Sequence, residues 1–176
     1  LISRQGVVPL HPSFDTVTWF AHAPDTFARV AEALLPASAF APTRILCLDD
    51  ACQLADAAFQ PALASVCQAL ESLLRTRASA SPIAATSLDE WRQVYVTAGA
   101  FEGWQVHGAW ISARRPEFAP AIAARWEAAS RISAEQSATA RQRWAEIRRE
   151  VRERLGHDTV AILPSAASLA PLRSAA

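Results

Sequence analysis

Three polar residues near the start of the chain, His11, Ser13 and Asp15, are the residue types of a serine-hydrolase triad. Such a triad needs three side chains that converge on one path of proton transfer. Close neighbours in an extended loop do not converge in that way, but their side chains readily bond to nearby backbone groups. We therefore interpret the three as turn residues that stabilise a local loop.

A fourth candidate, His107, lies between Trp104 and Trp110 in an apolar stretch. A histidine there could line a pocket or act as a base, although a histidine with its hydrogen bonds satisfied in the core is the more common outcome. The tryptophans also allow two interpretations, because they could form the base of a pocket for an aryl group or pack in the core. The others are Trp19, Trp91, Trp126 and Trp144.

The composition removes several classes of chemistry. All 17 basic side chains among the 176 residues are arginine, and 17 acids bring the formal net charge to zero. Without lysine the chain has no Schiff-base chemistry and no phosphate-binding lysine of the Walker type. Zero net charge argues against nucleic acid or an anionic membrane as the main partner. The arginines between positions 125 and 154 alternate with glutamates, which is typical of a solvated face with salt bridges.

The cysteines indicate neither disulfides nor a metal site. Their number is odd, and no histidine lies near Cys47, Cys52 and Cys67 at the spacing of a zinc site. We expect three buried or half-buried free thiols in a reducing compartment, and therefore a cytoplasmic protein. We also expect no metal or other cofactor. No apolar run reaches the length needed to cross a bilayer, so no membrane partner is expected.

Periodicity and capping signals divide the chain mainly into helices. Helices are predicted from Pro24 to Pro36, over 51–59, from Pro61 to Arg77, from a Ser87–Glu90 capping box to about Ala113, after Pro120, and from Ser133 to Leu155 before Gly156. Buried strands are predicted over 43–48 and 159–163, while 78–87 and 165–176 are predicted to be loops. Asp49 and Asp50 are expected to cap the helix that follows the first strand.

The helix predicted over 89–113 carries apolar residues on every face, and we therefore expect it to be buried. Gly99, Gly103 and Gly108 each disfavour that helix by about 1 kcal/mol relative to alanine. They are expected to permit a bend or the close approach of another backbone.

Two isolated strands do not make a stable sheet. We therefore interpret residues 1–176 as a single partial domain whose sheet is completed by residues outside this chain. Since the chain begins without methionine, we expect it to be a fragment or a processed chain. Unpaired strand edges favour dimerisation or aggregation, so the isolated chain is expected to be either self-associated, for example as a homo-oligomer, or poorly soluble.

Three stretches resemble amidase-signature hydrolases. Residues 6–22 read GVVPLHPSFDTVTWFAH, which resembles the family's G-x-x-P-x-x-x-S-x-D-T-x-G-x-x-A-R segment just after its catalytic core. Residues 102–111 read EGWQVHGAWI, which is similar to an E-x-W-x-x-H-G-x-W-I stretch in small amidases related to plant indole-acetamide hydrolases. Residues 158–165 resemble a late strand that ends in a Pro-Thr loop near the active site. The chain departs from these patterns at Thr18, at His22 and in the loop 164–168.

The resemblance implies an α/β fold: the C-terminal part of an α/β/α sandwich with a mixed sheet, mostly helical within this chain. It also implies amide hydrolysis by a Ser–cis-Ser–Lys triad that lies upstream of Gly6, so that no catalytic residue is expected in this chain. The residues expected to line a pocket for a small-molecule amide, in the context of the missing half, are Trp104, His107, Pro164 and Ser165. The alternatives are a non-catalytic remnant or interaction module derived from the same fold, and a helical interaction protein.

Overall fold

A computed structural model describes residues 3, 5–37 and 39–170. Its six α-helices in that range are α1 (Pro24–Leu34), α2 (Asp49–Leu54), α3 (Gln60–Leu74), α4 (Leu88–Arg114), α5 (Pro120–Ser130) and α6 (Ala134–Leu155), with a 3-10 turn at Ala57–Phe59. The strands are β1 (Arg44–Leu48), β2 (Ala78–Ser81) and β3 (Thr159–Ile162). The predicted α/β class, mostly helical, is confirmed. Of the predicted terminal loop, residues 171–176 lie outside the described residues.

The chain divides into two compact units. Unit 1 comprises Leu1–Ala39 and Gln93–Arg143, and unit 2 comprises Phe40–Arg92 and Trp144–Ala176. Unit 1 is helical and contains α1, α5, most of α4 and the first half of α6. Unit 2 contains the three strands, α2, α3, the first residues of α4 and the last half of α6.

The sheet of unit 2 has the order β2-β1-β3, and both pairs of strands are parallel. Successive residues of β1 point to opposite faces. On one face Leu46 and Leu48 pack with Ile83, and the partly buried side chains around them come from α2, α4, α6 and β3: Ala51, Leu88, Trp91, Val151, Leu155 and Ala161. On the other face Cys47 meets Cys67 of α3. Helices therefore cover β1 on both faces.

Strand β2 corrects the predicted loop over 78–87. Its residues read Ala-Ser-Ala-Ser, which carry neither the β-branched nor the aromatic side chains that signal a strand. Pairing with β1 uses backbone groups, in the register Ile45–Ala78 to Leu48–Ser81, and small side chains suffice for that. One partner of β1 that we expected from outside the chain therefore lies within it.

Two further expectations are wrong in detail. Asp49 and Asp50 do not cap α2 from outside, because they are its first two residues and Leu48 is the N-cap. The helix predicted over 51–59 is instead α2 followed by the 3-10 turn. The capping signals elsewhere are confirmed: the Glu90 N–H donates to Ser87 Oγ over 3.1 Å, and Gly156 ends α6 with a φ of +61°.

Helix α4 is not buried on every side. Its buried residues are mainly small, namely Ala98, Gly99, Gly103 and Gly108, together with Glu102. Trp110 is 53% exposed and Tyr95 is 46% exposed. The apolar periodicity suggested a buried helix, but the close contacts form on its small-residue face, where a backbone can approach. Among the described residues, no helix is both long and apolar enough to span a bilayer.

Candidate functional site

The loop 9–15 of unit 1 is folded by its own polar groups. The Asp15 carboxylate accepts hydrogen bonds from the N–H of Leu10 over 2.9 Å and from the N–H of His11 over 3.1 Å. The carbonyl of His11 accepts from the N–H groups of Phe14 and Asp15. This confirms that His11, Ser13 and Asp15 are turn residues, since the Asp15 side chain accepts hydrogen bonds from backbone N–H groups of the same loop.

The same loop is held against α4 at the small-residue face. A Cβ built on Gly99 would lie 3.1 Å from His11 Nδ1, and one on Gly103 would lie 3.3 Å from the Leu10 carbonyl oxygen. The buried Glu102 carboxylate accepts a hydrogen bond from the Ser13 N–H over 2.9 Å. The expected close approach at these two glycines is confirmed, and its partner is the loop 9–15.

His107, one turn further along α4, also contacts this loop. Its Nε2 lies 2.8 Å from the carbonyl oxygen of Pro9. A carbonyl can only accept, so Nε2 carries the hydrogen of this contact. The arrangement fixes the orientation of the ring and engages Nε2 in the loop contact.

Aromatic rings gather beside His107 within unit 1. The Trp126 ring of α5 lies 5.7 Å from the His107 ring and 6.5 Å from each of the Trp104 and Phe118 rings, measured between centroids. The Trp104 indole lies against Gly108, where an added Cβ would meet its Cε2 at 2.7 Å. We call Trp104, His107, Phe118 and Trp126 the aromatic cluster. The structure brings Trp104 and His107 together, and it adds Phe118, which sequence reasoning missed.

Pro164 and Ser165 lie in unit 2, directly after β3. Because all three strands are parallel, their carboxyl ends meet at one edge of the sheet, which in open α/β sheets is the usual place for ligands. This carboxyl edge consists of Asp49 and Asp50 after β1, residues 82–84 after β2, and Pro164 and Ser165 after β3. Pro164 is half-buried and Ser165 is exposed.

Hydrogen bonds hold the loops of the carboxyl edge in place. Asp50 Oδ2 accepts from the N–H of Ile83 over 3.1 Å and from the N–H of Ala84 over 3.0 Å. The N–H of Asp56 donates to the carbonyl of Ala167 over 2.8 Å, which holds the loop that contains Pro164 and Ser165. The amino-acid sequence predicts Asp50 only as a helix cap, since nothing local reveals its bond to a loop 33 residues away.

The described residues hold no group of three or more histidine, cysteine or acidic side chains able to bind a metal ion.

At the opposite end of β3 the Asp158 carboxylate accepts hydrogen bonds from Thr43 Oγ1 over 2.7 Å and from Arg44 Nε over 3.2 Å. The hydroxyl of Thr43, followed by the charge of Arg44, lowers the pKa of Asp158. This exposed ion pair joins the starts of β1 and β3, away from the carboxyl edge.

Comparison with known proteins identifies the fold. No protein-family profile matches the chain, and no curated protein matches it in sequence. A crystal structure described as an amidase is similar in structure, with a TM-score of 0.67 and 15% sequence identity. The similarity covers 84% of this chain and 34% of the amidase, so the chain spans about a third of that protein's length. At this identity the similarity concerns the fold, and the chain therefore has an amidase-like α/β fold.

Proposed function

We propose that this chain is the C-terminal part of an amidase of the amidase-signature family, which hydrolyses a carboxylic amide to an acid and ammonia or an amine. The observation that carries the proposal is the similarity of most of the chain to about a third of a solved amidase.

The three stretches that resemble the family support the proposal by their positions. The first and second lie far apart in sequence, yet Glu102 binds Ser13 and His107 binds Pro9 across 89 and 98 residues. The third forms β3 and the loop that carries Pro164 and Ser165 to the carboxyl edge. The stretches that resemble one family thus take part in long-range contacts and in the carboxyl edge of the sheet.

The proposed chemistry uses residues outside this chain. In amidase-signature hydrolases a lysine begins the proton relay, a bridging serine passes the proton on, and a second serine forms the acyl-enzyme. This chain contains no lysine and cannot supply that group. Its proposed role is to support the sheet and to contribute Trp104, His107, Pro164 and Ser165 to a pocket for a small-molecule amide. We further propose a cytoplasmic enzyme without metal or cofactor, with self-association as a property of the isolated chain.

The test compares two lengths of the protein. The chain of 176 residues is purified and assayed for ammonia release from simple aryl and aliphatic amides, beside a product extended by any coding sequence that precedes Leu1. We expect no turnover above a blank for the short chain. We expect turnover by an extended product that contains a lysine and a Gly/Ser-rich loop, and loss of that turnover when the lysine is replaced by alanine.

Two outcomes would contradict the proposal. Clear turnover by the short chain would show that catalysis does not need an upstream triad. Preceding sequence without a lysine and a Gly/Ser-rich loop would favour the alternative, a non-catalytic remnant or interaction module with the same fold.

The pocket assignment has its own test in the active, extended protein. We expect Ser165→Ala to raise KM several-fold with little change in kcat, because a lost binding contact acts on ground state and transition state alike. Ser168→Ala, in the same loop, is the matched control. Equal KM values for the two variants and the parent would remove Ser165 from the pocket.

A further inference from the structure

Two cysteines of unit 2 face one another between strand β1 and helix α3. Cys47 lies on β1 and Cys67 lies on α3, and their Sγ atoms are 3.8 Å apart. Both side chains are half-buried and neither is in a disulfide. The thiols are therefore neighbours in space although 20 residues separate them in sequence.

The geometry requires little movement to join the two sulfur atoms. A disulfide has an S–S distance of about 2.0 Å, and each sulfur can approach the other by rotation of its own side chain. The two sulfur atoms, 3.8 Å apart between strand and helix, therefore need to approach by about 1.8 Å to reach that bond length. Two adjacent free thiols can form a disulfide, whereas an isolated buried cysteine only fills space in the core.

The third cysteine is less well placed. Cys52 lies on α2, and in the part of the chain that the structure describes its thiol makes no hydrogen bond comparable to that between Cys47 and Cys67. We propose that Cys47 and Cys67 form a reversible disulfide when the chain meets a hydroperoxide. This modification site is independent of amide hydrolysis.

The reaction consumes one hydroperoxide for each disulfide. One thiolate attacks an oxygen of the hydroperoxide, the O–O bond breaks, and a sulfenic acid forms with release of an alkoxide, or of hydroxide when the oxidant is hydrogen peroxide, which takes up the proton that the thiol had lost. The thiol of the second cysteine attacks the sulfenic sulfur, the S–S bond forms, and the S–O bond breaks with release of water. Two thiols are oxidised and one peroxide is reduced. A dithiol reductant reverses the change by thiol–disulfide exchange.

The surroundings of Cys47 make disulfide formation slow at neutral pH. Burial, followed by the hydrogen bond and charge of Cys67, raises the pKa of Cys47 to about 11, and Cys52 and Glu71 act in the same direction. Since the thiolate is the reactive form, Cys47 reacts as a small population that grows with pH. We expect the disulfide to form faster at pH 9 than at pH 7.

The experiment counts thiols in the whole chain. The folded protein is treated with hydrogen peroxide, the excess is destroyed with catalase, and the unfolded chain is alkylated with iodoacetamide and weighed intact. We expect alkylated groups to fall from three to one, and to return to three when dithiothreitol precedes alkylation. Three alkylated groups after peroxide would overturn the proposal.

Fragment mapping identifies the bond. Trypsin leaves all three cysteines in one peptide because no arginine lies between positions 44 and 75. A protease that cuts before aspartate separates them, since Asp49 lies between Cys47 and Cys52, and Asp56 lies between Cys52 and Cys67. We expect the fragments of Cys47 and Cys67 to be linked. A bond to Cys52, or bonds only between chains, would overturn the proposal.

Variants provide the matched control. We expect Cys52→Ser to keep the intramolecular disulfide and Cys67→Ser to lose it, as judged by the same mass measurement. If Cys67→Ser does not fold, mapping of the unaltered chain decides the question by itself. An intramolecular disulfide that forms equally well in folded Cys67→Ser would contradict the assignment.

Discussion

Unit 1 and unit 2 bury different kinds of side chain. In unit 2 the central strand contributes Ile45, Leu46 and Leu48 to the interior, and Ile45 is only 1% exposed. In unit 1 the most deeply buried residues are small, such as Ala98, Ala129 and Ser137, while large rings such as Trp110 stay half-exposed. Unit 2 is therefore stabilised mainly by aliphatic burial, and unit 1 depends more on close approach of backbones.

Both units nevertheless hold a loop in the same way. Glu102 of unit 1 binds the N–H of Ser13, and Asp50 of unit 2 binds the N–H groups of Ile83 and Ala84. A carboxylate that accepts from backbone N–H groups satisfies donors that would otherwise be buried without a partner. The difference between the units thus lies in their cores and not in how their loops are fastened.

The largest expected effect is in the core of unit 2. Ile45→Ala should lower the free energy of unfolding by about 2–5 kcal/mol, because it removes buried methyl groups and leaves a cavity. Leu73→Ala is the matched control, since Leu73 on α3 is 75% exposed and should change stability by less than about 0.5 kcal/mol. Urea unfolding followed by circular dichroism measures both. Equal losses of unfolding free energy in the two variants would show that aliphatic burial does not determine the stability of unit 2.

The second-largest expected effect concerns the loop that follows β2 in unit 2. Asp50→Ala leaves the buried N–H groups of Ile83 and Ala84 without their acceptor, which should lower stability by about 2–4 kcal/mol. Asp50→Asn keeps one acceptor oxygen and should be affected less. Urea unfolding gives the free energies, and hydrogen exchange at Ile83 and Ala84 reports the loop. Unchanged protection of both amides in Asp50→Ala would contradict the contact.

The matching change in unit 1 tests whether its loop is held as strongly. Glu102→Ala removes one charge-assisted hydrogen bond to Ser13 and should lower stability by about 1.5–3 kcal/mol, with faster cleavage of the loop 9–15 in limited proteolysis. Asp89→Ala is the control, because it changes an exposed acid on the same helix. Equal cleavage rates in the two variants would mean that Glu102 does not hold the loop.

Close packing in unit 1 is tested at a single glycine. Gly103→Val should lower stability by about 1–3 kcal/mol, because the new side chain would displace the His11 ring and the Leu10 carbonyl. Ala109→Val, at an exposed position of α4, controls for the lower helix propensity of valine. Thermal unfolding compares them. A Gly103→Val protein as stable as its control would show that the loop does not need the glycine.

The smallest expected effect concerns pH. The pKa of Asp158 is lower in the folded chain than in the unfolded one, so its contribution to stability is present above the unfolded value of about 4 and is lost as pH falls through the folded pKa. Asp158→Asn should therefore reduce the loss of stability below pH 4, measured by thermal unfolding at pH 3 and pH 7. An unaltered pH profile would show that the exposed pair with Thr43 and Arg44 contributes nothing measurable.

The local signals were sufficient for most helices and for two of the three strands. Pro24 and Pro120 begin α1 and α5, Ser87 and Gly156 act as caps, and the aliphatic runs of β1 and β3 form strands. Each of these features depends on groups within a few residues of one another. Strand β2 was missed for the opposite reason, since its Ala-Ser-Ala-Ser residues become a strand only through backbone bonds to β1.

In the candidate site, too, the sequence predicts some features and the packing of distant elements determines the others. The amino-acid sequence determined the residue types present: no lysine, a histidine among tryptophans, and a Pro-Ser pair after an aliphatic run. Only the tertiary structure decided that Glu102 and His107 bind the loop 9–15, and that Asp50 holds the loop after β2. Contacts between residues tens of positions apart depend on how elements pack, because no local preference encodes them.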